Sequence, residues 1–446
     1  MRKRTIAAMV LGTVLIGAAS AAYIATPTVH DGQAGEAPEL GRPGEYDIGT
    51  RVKKFALEGR TTITTWGAIS GNLTDANREL SVRFWYPTEN ANGETAQYMH
   101  IMRPPGKDPV TISAPGFAVP DAKATTDQKY PLVLMSHGFG GWNTQFSNLA
   151  EQIASHGYIV ASIDHADTPV DGVTSFFLSF GNVLVDRTLD QRQILTQILE
   201  DAQSGSQAYS TQIDSDNVGL IGYSMGGYGA IASAGASYDF ANDPMSNIPA
   251  KAKAAMEEAS QKPLPIKSLV TFSPWGGQPD SRAWTADSIG KIDKPVLVIA
   301  GNQDDVVNYE EGVKWLFENM TGSNRYMLVY REARHNIIGN EFNLDPDGDF
   351  TTAEFLKEPV WRSDRLNAIN QHFVTAFLDV TLKGDAAKAE YLNVPTVDSN
   401  KSKWPTSFGE QLNGKMAGSK QPDHWKGFQR RWAVGLEMYQ MGKSNK

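Results

Sequence analysis

The most informative absence in this sequence of 446 residues is cysteine, which does not occur. Without cysteine the chain can form no disulfide, no thiolate-bound metal site and no cysteine nucleophile, and it cannot carry a lipid on an N-terminal cysteine. The fold must therefore be stabilised by its core, with or without help from a metal ion.

Positive charges are also fewer than negative ones. The formal net charge at pH 7 is −9, and apart from Arg2–Arg4 at the N-terminus no basic block is large enough to reverse this balance. Because binding to a phosphate backbone needs a basic surface, this balance argues against a nucleic-acid partner. Long apolar runs are absent after residue 25, so no later segment is expected to span a membrane.

The N-terminus has the pattern of an export signal. The basic block precedes an uncharged, mostly apolar run, Thr5–Ala22, which contains the small-x-small cleavage site Ala19–Ala21. We therefore expect residues 1–21 to be a signal peptide, or else an uncleaved anchor that provides the only membrane attachment. In both cases the protein is exported, to the periplasm or to the medium. Residues 22–50 are interpreted as a linker because glycine, proline and alanine dominate them.

From Leu132 onwards, short apolar runs alternate with stretches of helical periodicity. The predicted strands are Leu132–Met135, Tyr158–Ile163, Val218–Ile221, Ser268–Phe272, Val296–Ala300 and Met327–Tyr330. The clearest helical pattern covers Phe146–Ala154, and Gly157 follows it as a stop signal. Continuously apolar strands separated by amphipathic helices predict an α/β fold, with a mainly parallel central sheet and helices on both faces.

The outer limits of this domain are set by changes in pattern. Residues 51–395 are assigned to it, and residues 396–446 are interpreted as a C-terminal extension. Within the domain, Glu79–Pro87 alternates apolar and polar residues like a half-buried strand. Residues 88–128 show turn formers and little periodicity, so an irregular insertion is expected there.

A nucleophile motif follows one of the predicted strands. Gly222, Ser224 and Gly226 form the pattern G-x-S-x-G between Val218–Ile221 and a helix of small residues. A serine on a sharp turn from strand to helix is lifted above the sheet, and flanking glycines permit so tight a turn. An ordinary glycine-serine turn would not explain both the strand before the motif and the helix after it. We therefore predict Ser224 as the nucleophile.

A glycine-rich loop follows the strand Leu132–Met135. Such a loop can direct a backbone N–H at the oxyanion that develops during acyl transfer, here that of Phe139, with a second N–H from Met225. His137 lies in the same loop but precedes the nucleophile, so it is expected to support the loop rather than act as base.

The acid and the base are expected after the serine, in the order Ser, Asp, His. Asp304 and His335 each follow a predicted strand, and an open α/β sheet gathers its functional groups at the carboxyl ends of its strands. Asp305 is the alternative candidate for the acid. Asp304 is preferred because of its spacing from Gly301 in the sequence. His165 also follows a strand, but it precedes the serine. Asp304 is expected to orient His335.

Residues 51–391 resemble the α/β-hydrolase superfamily. The segments Ser136–Gly141, Asn148–Tyr158 and Phe377–Asp385 are similar to bacterial esterases of the dienelactone-hydrolase-like and platelet-activating-factor-acetylhydrolase-like kinds. This resemblance implies hydrolysis of carboxylic esters. Dienelactone hydrolase itself uses a cysteine, so Ser224 argues against that particular reaction.

A more distant resemblance is to the polyester-degrading cutinases. It rests on Met225 directly after the nucleophile and on Ser273–Trp275 after the strand Ser268–Phe272. In cutinases a tryptophan at this place contacts the acyl part of the substrate, which implies that role for Trp275. Plain core packing is the alternative. The insertion before Leu132 departs from the cutinase pattern.

A cluster of large apolar residues, including Phe176, Phe177 and Phe180, lies within Asp167–Asp186. After a strand end, such a cluster can form a lid or the wall of an acyl-binding pocket. It can equally belong to the core. We expect Phe176 and Phe177 to bind substrate.

An acidic segment after His335 fits the loop of an EF-hand. Oxygen ligands at positions 1, 3, 5, 7 and 12 would come mainly from the side chains of Asn343, Asp345, Asp347, Asp349 and Glu354. The asparagine at position 1 and the lack of an entering helix depart from the motif, and a solvated acidic turn is the alternative. Catalysis needs no cofactor here, so a calcium ion would be structural.

These residues predict a serine carboxylesterase or lipase-like hydrolase acting on a small or polymeric ester through an acyl-enzyme. The same residues would serve an acyltransferase, a peptidase or a polyester depolymerase, because they define the chemistry and not the acceptor. A non-catalytic binding protein on this fold would be expected to lack one of the serine, acid, base or oxyanion loop, and all four are present.

Overall fold

The computed structural model describes residues 37–64, 73–89, 92–104, 106–125, 128–206, 209–345, 348, 350–402, 424–429 and 432–444. The predicted signal peptide lies outside these ranges, as does the first part of the predicted linker. No helix within the described ranges is long and apolar enough to cross a membrane.

A single large sheet organises the chain. Its strands, with the separate pair β3 and β4, are β1 (Ile48–Thr62), β2 (Thr74–Pro87), β3 (Gln97–Met102), β4 (Val110–Pro115), β5 (Val119–Pro120), β6 (Tyr130–Ser136), β7 (Ile159–Asp164), β8 (Ile213–Tyr223), β9 (Ile266–Phe272), β10 (Val296–Gly301), β11 (Arg325–Tyr330) and β12 (Leu436–Met441). Within the described ranges the sheet has ten strands, in the order β12-β11-β10-β9-β8-β6-β7-β2-β1-β5. Strands β7, β6, β8, β9, β10 and β11 run parallel to one another. Antiparallel pairs flank them on both sides, with β2 against β7 and β12 against β11.

Helices cover both faces of the sheet. They are α1 (Ser147–Ser155), α2 (Val173–Ser204), α3 (Met225–Ser233), α4 (Ala250–Ser260), α5 (Ala286–Ile289), α6 (Lys314–Asn319), α7 (Phe350–Leu356), α8 (Ser363–Leu382) and α9 (Ala389–Leu392). Helices α2, α3 and α4 contribute to the core on one face, and α1 and α8 contribute to the core on the other. Because both faces are covered, a central strand such as β10 is buried at every residue. The predicted α/β class with a mainly parallel sheet is confirmed.

The predicted irregular insertion, residues 88–128, contains an antiparallel hairpin of β3 and β4. The sequence of β3 does not alternate between apolar and polar residues, because apolar side chains also lie on its exposed face. Met99 is 68 % exposed and Ile101 is 47 % exposed. The hairpin is joined to α1 through Tyr98, whose hydroxyl donates to Glu151 Oε1 at 2.5 Å. This segment is therefore an ordered part of the domain.

The predicted C-terminal extension contributes to the same sheet. Strand β12 pairs with β11 along its length, with Leu328 opposite Met438. The rings of Trp425 and Phe428 pack against Phe373 of α8. The boundary predicted at residue 395 therefore cuts through the domain, because the pairing of an edge strand depends on a partner far away in the sequence.

The described end of the predicted linker also packs on the domain. Leu40 is buried in the core beneath α8, and its N–H donates to His372 Nδ1 at 3.1 Å. The part of the predicted linker before residue 37 lies outside the described residues.

Candidate active site

Ser224 occupies a strained turn between β8 and α3. Its φ of 50° and ψ of −116° lie in a region that residues with a Cβ rarely adopt, at a cost of about 1–3 kcal/mol. A Cβ at Gly226 would lie 2.1 Å from the carbonyl oxygen of Ser136, so only glycine fits the first turn of the helix. The turn therefore has the geometry of a nucleophile elbow.

Asp304 and His335 meet at the carboxyl ends of β10 and β11. His335 Nδ1–H donates to Asp304 Oδ2 at 2.8 Å. The other carboxylate oxygen of Asp304 accepts the backbone N–H groups of Val306 and Val307 at 3.0 and 3.2 Å. Burial alone would raise the pKa of Asp304, but the hydrogen bond from His335 and the backbone donors hold it below its usual value. The carboxylate is therefore charged and fixed in orientation.

The neighbouring acid points elsewhere. Asp305 pairs with Arg334 at 2.5 Å, and both side chains are more than half exposed. Of the two adjacent aspartates, Asp304 is thus the one that contacts His335.

The glycine-rich loop lies directly against the nucleophile. A Cβ at Gly138 would approach the Cβ of Ser224 to 3.3 Å. Phe139 follows in this loop, and Met225 is the first residue of α3, so its N–H has no acceptor within the helix. His137 is buried, with Nδ1–H donating to Gly138 O at 2.7 Å and Nε2 accepting from His165 N–H at 3.0 Å. His137 therefore supports the loop, as its place in the sequence predicts.

A second Ser-His-Asp array lies beneath this loop. Ser136 Oγ is 2.7 Å from His165 Nε2, and His165 Nδ1 is 2.8 Å from Asp190 Oδ2. All three residues are buried, with Ser136 2 % exposed and the other two fully covered. Burial lowers the pKa of His165 to about 3, so this histidine is neutral near pH 7. An ester cannot reach Ser136, and the array is structural.

Ser224 and His335 line one cavity of about 930 Å³ together with Phe139 and Phe355. A second cavity of about 510 Å³ shares Phe139 and Phe355 with the first. One of its walls is His100, whose ring is stacked on Trp142 with the centroids 3.9 Å apart. The sequence pattern assigned neither this hairpin nor helix α7 to the active site, because both reach it only through the fold.

The predicted substrate residues form an aromatic chain beside Phe139. Phe176 and Phe180 of α2 contact the ring of Phe139 with centroids 5.8 and 5.9 Å apart. Phe177 is 68 % exposed, and Phe176 is 40 % exposed. Trp275 is almost buried, and its ring lies 5.4 Å from that of Phe180. The backbone N–H of Trp275 donates to the backbone carbonyl oxygen of Ser224 at 3.2 Å. Trp275 thus packs in the core and supports the elbow, while its contact with an acyl group stays a prediction.

The calcium motif is only partly described. Asp347 and Asp349 lie outside the described residues, and Glu354 is exposed on α7. Asn343 N–H donates to Ser113 O at 3.0 Å, which ties the start of the motif to β4. No group of three or more acidic or histidine side chains able to hold a metal occurs among the described residues. The calcium site stays a prediction.

Sequence comparisons match two consecutive parts of the chain. Residues 85–179 match the family described as platelet-activating factor acetylhydrolase, isoform II, and residues 191–358 match the prolyl oligopeptidase family. Platelet-activating factor acetylhydrolase from Bos taurus is 29 % identical over 143 residues, which cover 24 % of this chain and 32 % of the relative. Cutinase 2 from Thermobifida cellulosilytica is 32 % identical over 177 residues, which cover 40 % of this chain and 49 % of the relative. The chain thus spans about a third of that acetylhydrolase and about half of that cutinase.

A solved structure has the same architecture over most of its length. The ferulic acid esterase from Streptomyces cinnamoneus superposes with a TM-score of 0.50 at 19 % identity, covering 78 % of this chain and 94 % of the esterase. At that identity the similarity concerns the fold. With the sheet order and the two family matches, it assigns the α/β-hydrolase fold to this chain.

Proposed function

We propose that this α/β-hydrolase chain hydrolyses carboxylic esters through a covalent acyl-enzyme on Ser224. One observation carries the proposal: the strained serine shares a cavity with His335, and His335 is hydrogen-bonded to the buried carboxylate of Asp304. The relatives named above as acetylhydrolase, cutinase and ferulic acid esterase support an ester as the substrate class.

In the first half-reaction, Ser224 Oγ attacks the carbonyl carbon of the ester while His335 Nε2 accepts the hydroxyl proton. The carbonyl oxygen becomes an oxyanion that the N–H groups of Phe139 and Met225 stabilise. The C–O bond to the alcohol then breaks, and the departing alkoxide takes the proton from His335. Asp304 holds His335 in the tautomer that leaves Nε2 free to accept, and it stabilises the imidazolium.

In the second half-reaction, water attacks the acyl carbon and gives its proton to His335. The ester bond to Ser224 breaks, the serine oxygen recovers the proton, and the carboxylic acid leaves. Each residue thus returns to its starting state, and no cofactor enters these steps.

A peptidase is the second candidate, because the match to the prolyl oligopeptidase family covers the residues that carry the triad. The two activities differ in the leaving group, since an amine must be protonated before it departs. Paired substrates with one acyl group, a p-nitrophenyl ester and a p-nitroanilide, separate the two.

The test is a panel of p-nitrophenyl esters of graded acyl length, combined with labelling by a fluorophosphonate. We expect ester turnover and a single labelled peptide containing Ser224, and we expect Ser224→Ala to lose both with the fold intact. Ser136→Ala is the matched control, because Ser136 contacts a histidine but does not line the cavity that Ser224 and His335 share. Turnover by Ser224→Ala near that of the wild type would overturn the proposal.

A further inference from the structure

A buried ion pair lies directly behind the glycine-rich loop. Arg187 of α2 is fully buried, and the side chain of Asp167 is 5 % exposed. The guanidinium donates to both carboxylate oxygens, with Nη1 2.6 Å from Oδ1 and Nη2 2.5 Å from Oδ2. Burial alone would raise the pKa of Asp167, but Arg187 holds it well below its usual value, so the carboxyl group is charged. The ester mechanism above uses neither of them.

Both members of the pair also bind the backbone of the loop, on the two sides of Phe139. Arg187 Nη2–H donates to the carbonyl oxygen of Gly138 at 2.8 Å, and this oxygen also accepts the Nδ1–H of His137. Gly140 N–H donates to Asp167 Oδ2 at 2.9 Å. The carbonyl of Gly138 and the N–H of Phe139 belong to one planar trans peptide, so they point in opposite directions. An interaction that fixes the direction of this carbonyl therefore fixes the direction of the Phe139 N–H.

We propose that Arg187 and Asp167 are positioning residues for the oxyanion hole. Arg187 binds the carbonyl end of the Gly138–Phe139 peptide and turns its N–H end toward the cavity. The N–H of Gly140 is hydrogen-bonded to Asp167, so it is not free to bind the oxyanion. The N–H of Phe139 is then the loop donor directed at the oxyanion. This inference rests on the proposed esterase function and adds to it the residues that orient the hole.

The charge of the pair matters as well as its shape. A cation at the carbonyl end polarises the peptide, which makes the N–H at the other end a stronger donor to a developing oxyanion. A buried arginine without a counter-charge would be strongly unfavourable, so Asp167 is needed to keep Arg187 in place. The bidentate contact defines the plane of the guanidinium, and lysine cannot reproduce this geometry.

The experiment compares Arg187→Lys and Asp167→Asn with the wild type, using p-nitrophenyl acetate as substrate. Arg192→Lys is the matched control: Arg192 is on the same helix and is also buried, but it donates to the carbonyls of Ser233 and Lys262 rather than to the loop. A trifluoromethyl ketone reports on the hole itself, because addition of Ser224 Oγ to its carbonyl creates an oxyanion while His335 accepts the proton. Fluorophosphonate titration counts the reactive sites, so that kcat is expressed per labelled serine.

We expect kcat per site to fall about 10- to 100-fold in both variants, less than the loss from removing an oxyanion donor outright. KM should change little, and the inhibition constant of the ketone should rise in parallel with the fall in kcat. The double variant should cost no more than the worse single one, because the pair acts as a unit. Arg192→Lys should leave both constants unchanged.

The inference is overturned if kcat per site and the ketone constant stay near wild-type values in both variants. It is also overturned if only the number of labelled sites falls, since the pair would then act on folding alone. If Arg187→Lys does not fold, the inference is tested with Asp167→Asn alone, because asparagine has nearly the same side-chain volume as aspartate. Failure of wild-type Ser224 to react with the fluorophosphonate would instead reject the proposed function.

Discussion

At the scale of the residue, the described part of the chain holds a buried Ser-His-Asp array beside the candidate catalytic residues. Both sets contain a histidine hydrogen-bonded to an aspartate, but Ser136 is covered by the loop whereas Ser224 and His335 line a cavity. Contact geometry therefore does not identify a nucleophile by itself. Solvent access and the strained backbone of the elbow separate the two serines.

The adjacent aspartates provide the sharpest residue-level prediction. Asp304→Asn should lower kcat by about 10⁴-fold, because an asparagine cannot hold His335 in the required tautomer or stabilise its charged form. Asp305→Asn loses only an exposed pair with Arg334, so its kcat should stay within a few-fold of the wild type. Steady-state kinetics on p-nitrophenyl acetate measure both. A larger fall in kcat for Asp305→Asn than for Asp304→Asn would mean that Asp305 is the acid.

At the scale of the element, helix α2 changes character along its length. Its first turns expose Phe176 and Phe177, whereas Arg187 and the residues around it are buried. The helix thus joins the surface beside Phe139 to the charged pair beneath the loop. Helix α2 thus contributes both the exposed rings beside Phe139 and the buried arginine that contacts the glycine-rich loop.

Shrinking the exposed rings tests the predicted acyl wall. We expect Phe176→Ala and Phe177→Ala to change the preference among acyl lengths while lowering the free energy of unfolding by less than about 1 kcal/mol. Phe180→Ala should cost more, since its ring packs against Phe139 and Trp275. A substrate panel and urea unfolding give the two readouts. A large loss of stability with unchanged preference would assign Phe176 and Phe177 to the core.

The segment that leads into α7 carries the proposed structural calcium. Carboxylates at Asp345, Asp347 and Asp349 repel one another without a cation, so a bound ion should raise the melting temperature by mass action. Chelation should lower that temperature, calcium should restore it better than magnesium, and Glu354→Gln should abolish the response. Activity well below the melting point should not change. A melting curve unaffected by chelator, together with no calorimetric binding at millimolar calcium, would leave only an acidic turn.

At the scale of the whole molecule, sequence reasoning recovered what local patterns encode. Buried strands, the elbow at Ser224 and the polar residues that follow β10 and β11 are each visible within a few positions. The hairpin of β3 and β4 and the pairing of β12 were missed, because exposed apolar side chains and distant partners leave little local pattern. Arg187 was missed for a related reason: only the folded chain brings it to the carbonyl of Gly138.

Two buried histidines should make the fold sensitive to acid. Burial lowers the pKa of His165 and of His372 to about 3, against 6.5 for an unperturbed side chain. Between these values the unfolded chain binds a proton at each site and the folded chain does not. The free energy of unfolding should therefore fall as the pH drops from about 6.5 toward 3, by up to about 1.4 kcal/mol per pH unit for each histidine, with no such dependence above that window.

His372→Gln tests this linkage, because glutamine does not titrate and can still accept from Leu40 N–H. Urea unfolding at several pH values should show a slope reduced by about one proton between pH 4 and 6. The variant should be less stable at neutral pH, since it loses the packing of the histidine ring. An unchanged slope would mean that His372 does not contribute to acid sensitivity.

The pairing of β12 with β11 also has a consequence for the order of events during synthesis. Strand β12 leaves the ribosome about 100 residues after β11, and the chain immediately after β11 carries His335. Until β12 emerges, the far side of β11 presents unpaired backbone groups to any other nascent chain. Arg331, which joins Glu437 and the carbonyl of Gly435 to this edge, is likewise without these partners in the meantime. Without β12, the edge of β11 next to the segment that carries His335 is therefore open to pairing with another chain.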